Sequence, residues 1–168
     1  MISSTCARPR RARGLMVVAV VSAVLWLWAA QAVTATPSEV EASEAERLFR
    51  FIGQARAEHA RPPLERDPRL DALAFMKAQE MAEKGYFDHV SPDYGTVFDM
   101  LEAEGIPFKW AGENIARAAD ATVAHDALMQ SPDHRANILS AGYTHVGIGV
   151  ARDGRRLYVV QLFLKPRA

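Results

Sequence analysis

The chain predicts an α+β fold in which helices cover both faces of a small antiparallel sheet. Three observations carry this. Apolar residues recur at three- and four-residue steps around 45–56 and again around 70–81, the period of a helix with one face in a core. Near the carboxyl end, Asp153-Gly154 joins two apolar runs, the signature of a tight β-hairpin. The second run, Leu157 to Leu164, barely alternates, so both its faces are covered. Helices early and a doubly buried hairpin late make an α-β-α sandwich. With 168 residues there is length for one domain and a sizeable core.

The first 35 residues are set apart from that domain. Arg8, Arg10, Arg11 and Arg13 precede an apolar run from Leu15 to Ala30, and small residues come next at Ala30-Gln31-Ala32 and Val33-Thr34-Ala35. This pattern predicts either a cleaved signal peptide or an uncleaved membrane anchor through residues 15–33. Both place the remainder of the chain outside the cytoplasm, secreted or periplasmic, because the basic flank stays inside. Residues 36–43 are small, polar and acidic and are expected to form a linker, with the domain running from 44 to 168. Cys6 is the only cysteine and precedes the apolar run, so the exported part has no disulfide and depends on its core. The formal charge is zero, but the four arginines lie in the leader. The rest sets 16 basic against 20 acidic residues, which argues against a nucleic-acid partner.

Along the domain, the first helix carries Ala45, Leu48, Phe49, Ile52 and Ala55 and stops before Pro62-Pro63. His59 sits at its end, where the helix dipole favours a cation. Asp67-Pro68 opens a second helix, a capping side chain followed by proline, and Gly85 closes it. Leu70, Leu73, Ala74, Lys77 and Met81 share a face. Residues 86–95 are loop, Thr96 caps a short helix to Glu104, and Ile106 to Ala116 is extended. Asp120 and Thr122 start another helix, with His125 on an exposed side. A helical turn spans Asp133 to Leu139.

The candidate chemistry lies in His89, Glu113 and His134, with His145 beside them. Two imidazoles and a carboxylate suit zinc or a similar divalent ion. Their spacing is long, with no short metal signature, so on chemistry alone backbone bracing by each residue is the favoured reading. Ser91 and Ser131 both precede proline and are read as turn or cap residues rather than nucleophiles. A serine–histidine–glutamate set, Ser91 or Ser131 with His89 or His134 and Glu113, is a minor alternative. A glycosidase-like carboxylate pair would need a second acid near Glu113.

In order, the chain presents Gln54-Ala55-Arg56, Arg61-Pro62-Pro63-Leu64, His89-Val90-Ser91-Pro92 and Gly112-Glu113-Asn114-Ile115-Ala116. Ser131-Pro132-Asp133-His134-Arg135-Ala136-Asn137-Ile138-Leu139, His145-Val146-Gly147-Ile148-Gly149 and Val160-Gln161-Leu162-Phe163 complete the series. This ordered set resembles the CAP superfamily of cysteine-rich secretory, antigen 5 and pathogenesis-related proteins, in its bacterial SCP-like extracellular branch, over roughly residues 46–165. The resemblance implies an open cleft holding two histidines and acidic residues able to bind a divalent metal, often zinc. By position His89, Glu113 and His134 match three of the four. The second glutamate falls near Ser131, and a tryptophan usual just before it is Leu128, so the set is incomplete.

The expected cleft residues are therefore His89, Glu113, His134, His145, Ser131 and Asn114, the last bracing the cleft loops. His89 and His134 are the metal candidates, with Glu113 nearby. The leading expectation is an exported protein that binds a small molecule, lipid or peptide. The alternative is a divalent-metal-dependent, peptidase-like hydrolase using the same cleft. A third is an adhesive role in which the cleft is unused. Fold likeness does not choose among them.

Overall fold

In the computed structural model, residues 36–167 are described. The leader and its signal-or-anchor expectation, including attachment through residues 15–33, lie outside them. Helix α1, Glu39–Glu58, begins where a linker was expected. Ser38 and Glu41 form a capping box, each satisfying the other's free backbone amide, and this extends the helix into the acidic stretch. Helix α2, Pro68–Lys84, starts at Asp67 and ends on Gly85 in the left-handed conformation. Short helix α3 is Val97–Ala103, capped by Thr96. Helices α4, Ala121–Gln130, and α5, Pro132–Leu139, come in quick succession.

The sheet has four strands: β1 Glu65–Arg66, β2 Phe108–Ala118, β3 His145–Arg152 and β4 Leu157–Pro166. Their order is β1-β3-β4-β2, so β2 is an edge strand. The hairpin of β3 and β4 and the β2–β4 pair are antiparallel, as expected. The two-residue β1 was not expected, and it pairs parallel to β3. Two residues carry no readable alternation, so nothing in the sequence announced it.

Cross-strand partners sort the side chains onto two faces. Ile115, Leu162, Val160 and Tyr158 pack with Leu70, Ala74 and Met81 of α2 and with α3. Ile148, Val159 and Phe163 pack with Leu48, Ile52, Leu128 and Ile138 of α1, α4 and α5. Each fully buried leucine or isoleucine contributes about 1.5–3 kcal/mol, and together these layers hold a domain that has no cross-link. At β3 the α2 helix lies on glycines. A Cβ at Gly149 would fall on the backbone of Ala74 and Phe75, and one at Gly147 on that of Leu70. This close seat sets the height of α2 above the sheet, and with it the reach of Lys77 and Glu80.

Candidate functional site

Lys77 lies on the buried face of α2 between Ala74 and Met81, with no exposed surface. A lysine so placed needs an anionic or carbonyl partner. It has both. Its Nζ stands 2.7 Å from Glu113 Oε1, close enough for an ion pair although the angle is not that of a hydrogen bond. It also donates to the backbone carbonyl of His89 at 2.5 Å. Glu113 is on the α2-facing side of β2, opposite Leu162. Its other oxygen, Oε2, is 2.6 Å from His89 Nδ1.

A carboxylate oxygen only accepts, so Nδ1 carries the proton and Nε2 is the nitrogen left for other partners. The two ends of this chain of contacts differ sharply in exposure. The side chains of Lys77 and Glu113 are 0% and 4% exposed, while that of His89 is 56% exposed.

The loop carrying His89 is stapled to α2 at a second buried carboxylate. Glu80, one turn beyond Lys77, accepts from Ser91 Oγ at 2.5 Å and Tyr86 OH at 2.6 Å, and from Lys84 at 3.1 Å. Burial pushes the Glu80 carboxyl up, but these hydrogen bonds and the Lys84 charge outweigh it, and the group is held below its ordinary range. Burial and the hydrogen bond to Glu80 push the Tyr86 hydroxyl well above its usual value. Ser91 also accepts from the amides of Asp93 and Tyr94, and it bridges to Gly95. Its hydroxyl is a loop brace, as the turn reading predicted. Around His89, Phe87, Val90 and Tyr94 present exposed apolar surface, and the Arg117 guanidinium lies 5.6 Å from the Phe87 ring.

On the other face of β2 the neighbouring residue organises a polar cluster. Asn114, fully buried, donates to the carbonyl of His134 at 3.0 Å and to Gln161 Oε1 at 3.2 Å. Its own oxygen accepts from Asn137 at 2.9 Å. Ser131 stands at the cap of α5, but its hydroxyl makes no capping bond. It meets His134 Nδ1 at 2.8 Å instead. Arg56, wholly buried, fixes the far end of α5 through the carbonyls of Ile138 and Ser140. Thus Asn114 braces, as expected, and Ser131 pairs with a site histidine.

The expected residues therefore form two pairs at adjacent β2 positions, His89–Glu113 and Ser131–His134, with Asn114 tied to the second. The serine–histidine–glutamate alternative is corrected: Glu113 is bonded to His89, not to His134, and Ser91 is bonded to Glu80. His145 does not join either pair. It sits on β3, separated from β2 by β4, and its ring nitrogens face Glu65 at 3.4 Å and Thr144 at 2.8 Å. His125 is half-buried rather than exposed, tilted against Phe51 at 5.4 Å between ring centres. A concavity bordered by Glu41, Phe75, Glu83 and Arg152 contains none of these site residues.

Lys77, Glu80, Gln161 and Arg56 were not among the expected site residues. A lysine on an otherwise apolar helical face was the available signal for the first. The donor set does not fit a resident divalent ion. Both Glu113 oxygens are engaged, and no cluster of three or more histidine, cysteine, aspartate or glutamate side chains is gathered for an ion among the described residues. Catalytic zinc takes three protein ligands and structural zinc four.

A family model for the cysteine-rich secretory protein family, CAP, matches residues 49–163. The uncharacterized protein YkwD of Bacillus subtilis is 40% identical over 122 residues, which are 72% of this chain and 47% of YkwD. The chain thus spans about half the length of that curated relative. An extracellular protein containing an SCP domain from Bacillus anthracis superposes with a TM-score of 0.71 at 28% identity, over 78% of this chain and 45% of that one. The structure of NaASP2 with Zn2+ superposes at 0.54 and 15% identity, over 77% and 83%, a likeness of fold alone.

Proposed function

The chain belongs to the cysteine-rich secretory protein (CAP) family, and from that premise we propose that it is an exported domain binding a ligand at the cleft of His89 and Glu113, with the His134–Ser131 pair at the next β2 position, at the cell envelope or outside the cell. The observation that carries the reading is His89. A half-exposed imidazole is held through Nδ1 by a buried ion pair, which leaves Nε2 for a partner. Burying an ion pair does little for stability, so a fold that keeps one to orient an exposed ring is pre-organised for a partner of that ring. Exposed Phe87, Val90 and Tyr94 give the rim an apolar character, which suits a peptide or lipid carrying a polar group for His89. Export is supported by the arginines and apolar run of the leader and by likeness to an extracellular protein of Bacillus anthracis.

The test is NMR of the imidazole signals of His89 and His134 during titration of the full-length protein with short peptides, phospholipid vesicles and zinc. A saturable change at His89 with peptide or lipid, absent in His89→Ala and weakened in Glu113→Gln, is the expected result. No change at either histidine with any probe removes the ligand-binding reading. One-to-one zinc binding accompanied by peptide cleavage puts the metal-dependent hydrolase in its place.

A further inference from the structure

We infer that Lys77 is a built-in cation standing where a divalent ion would need to bind beside Glu113, and that it makes this cleft metal-independent. The inference rests on the reading of His89 and Glu113 as the functional cleft, and it concerns what charge completes that cleft.

The ammonium nitrogen lies against two oxygens, a Glu113 carboxylate oxygen at 2.7 Å and the His89 carbonyl at 2.5 Å. A carboxylate and a backbone carbonyl are the oxygen donors that hard cations take. Lys77 thus satisfies the negative charge of Glu113 from inside the protein, on a stem packed among apolar residues of α2 and without solvent to release it to. The second Glu113 oxygen is committed to His89 Nδ1. A metal arriving from solvent would have to displace a buried cation to gain the carboxylate, stranding that cation without a counter-charge. What remains reachable beside Glu113 is His89 Nε2, while the other candidate, His134, is tied to Asn114 and Ser131 and keeps its own Nε2.

The arrangement also explains why the carbonyl of His89 is involved. By holding both the backbone of residue 89 and the carboxylate that grips its ring, one ammonium group sets the loop and the imidazole together. Lys77 is therefore a positioning residue whose removal should do more than loosen the fold. It should open Glu113 to metal.

Zinc titration by calorimetry and by thermal unfolding tests this on the full-length parent, Lys77→Gln, Lys77→Arg and His89→Ala. Glutamine keeps an amide donor for the His89 carbonyl but carries no charge, whereas arginine keeps the charge. Parent and Lys77→Arg are expected to show no saturable zinc binding. Lys77→Gln is expected to gain saturable one-to-one zinc binding, with a rise in Tm on adding zinc. Adding His89→Ala to Lys77→Gln should abolish the gain.

A folded Lys77→Gln that binds zinc no better than the parent overturns the inference. So does saturable one-to-one zinc binding by the parent that His89→Ala removes. This second result decides the matter even if Lys77→Gln does not fold, and its absence upholds metal independence. Peptide or lipid binding at His89 is read separately by the imidazole titration, so either conclusion can fail without the other.

Discussion

Lys77 and Glu113 meet at 2.7 Å across the interface of a helix and an edge strand, with both side chains out of solvent. Removing one charge strands the other in the interior. Lys77→Met is expected to cost about 3–5 kcal/mol of unfolding free energy, and pairing it with Glu113→Leu should recover most of that loss. Urea unfolding of the single and double variants measures both. A single-variant loss below about 1 kcal/mol would mean that the pair behaves as a solvated surface bridge.

Glu80 gives the fold a defined acid sensitivity. Its carboxyl is held below its ordinary value of 4.5, so its network stabilises the protein above that pH, and the contribution is lost as pH falls through the lower folded value. Glu80→Gln should therefore be less stable than the parent near neutrality, with the two curves converging in acid. Denaturant unfolding at a series of pH values checks this, and parallel curves would contradict it.

His125 acts in the same direction from a different cause. Burial lowers its pKa from 6.5 against the raising influence of Asp126 and Glu58, and its buried Nδ1 has no hydrogen-bond partner among the described residues. The unfolded chain takes up a proton near pH 6.5 that the folded ring refuses. Its contribution is intact above that pH and is lost as pH falls through the lower folded value. His125→Leu is expected to move the midpoint of acid unfolding, followed by circular dichroism, to lower pH. An unchanged or higher midpoint would count against it.

Gly149 and Gly53 make a contrasting pair. Gly149→Ala would drive a Cβ into the α2 backbone and is expected to cost roughly 1–3 kcal/mol or more. Gly53 is exposed inside α1 with open space around it, and Gly53→Ala should stabilise by about 0.5–1 kcal/mol. Thermal unfolding separates the two. Equal effects would mean that α2 can lift off the sheet without penalty.

Much of the fold was legible because each element announces itself locally. Asp67-Pro68 and Gly85 bound α2 through the backbone conformations they favour, and Asp153-Gly154 closes the hairpin for the same reason. The start of α1 was missed because the Ser38–Glu41 capping box lies in a stretch whose composition resembles a linker. The parallel β1 was missed because its partner is distant in sequence and it is too short to show a period. His125 was misjudged because a charged neighbour, Asp126, outweighed the facing Phe51, which belongs to another helix.

For the site, residue type along the chain was enough to single out His89, Glu113 and His134, which a packed core does not demand, and the family resemblance added Ser131 and Asn114. Residue type was enough, too, to place Lys77 on the apolar face of a helix. Only the tertiary structure decided who meets whom. Strand pairing puts Glu113 toward α2 and Asn114 toward α5, because successive residues of a strand point to opposite faces. The glycine seat at Gly147 and Gly149 then brings Lys77 within reach of Glu113, while β4 stands between His145 and that pair. Spacing along a chain specifies local conformation, but the charge partner of a buried side chain depends on register and helix height, which exist only once the layers have packed.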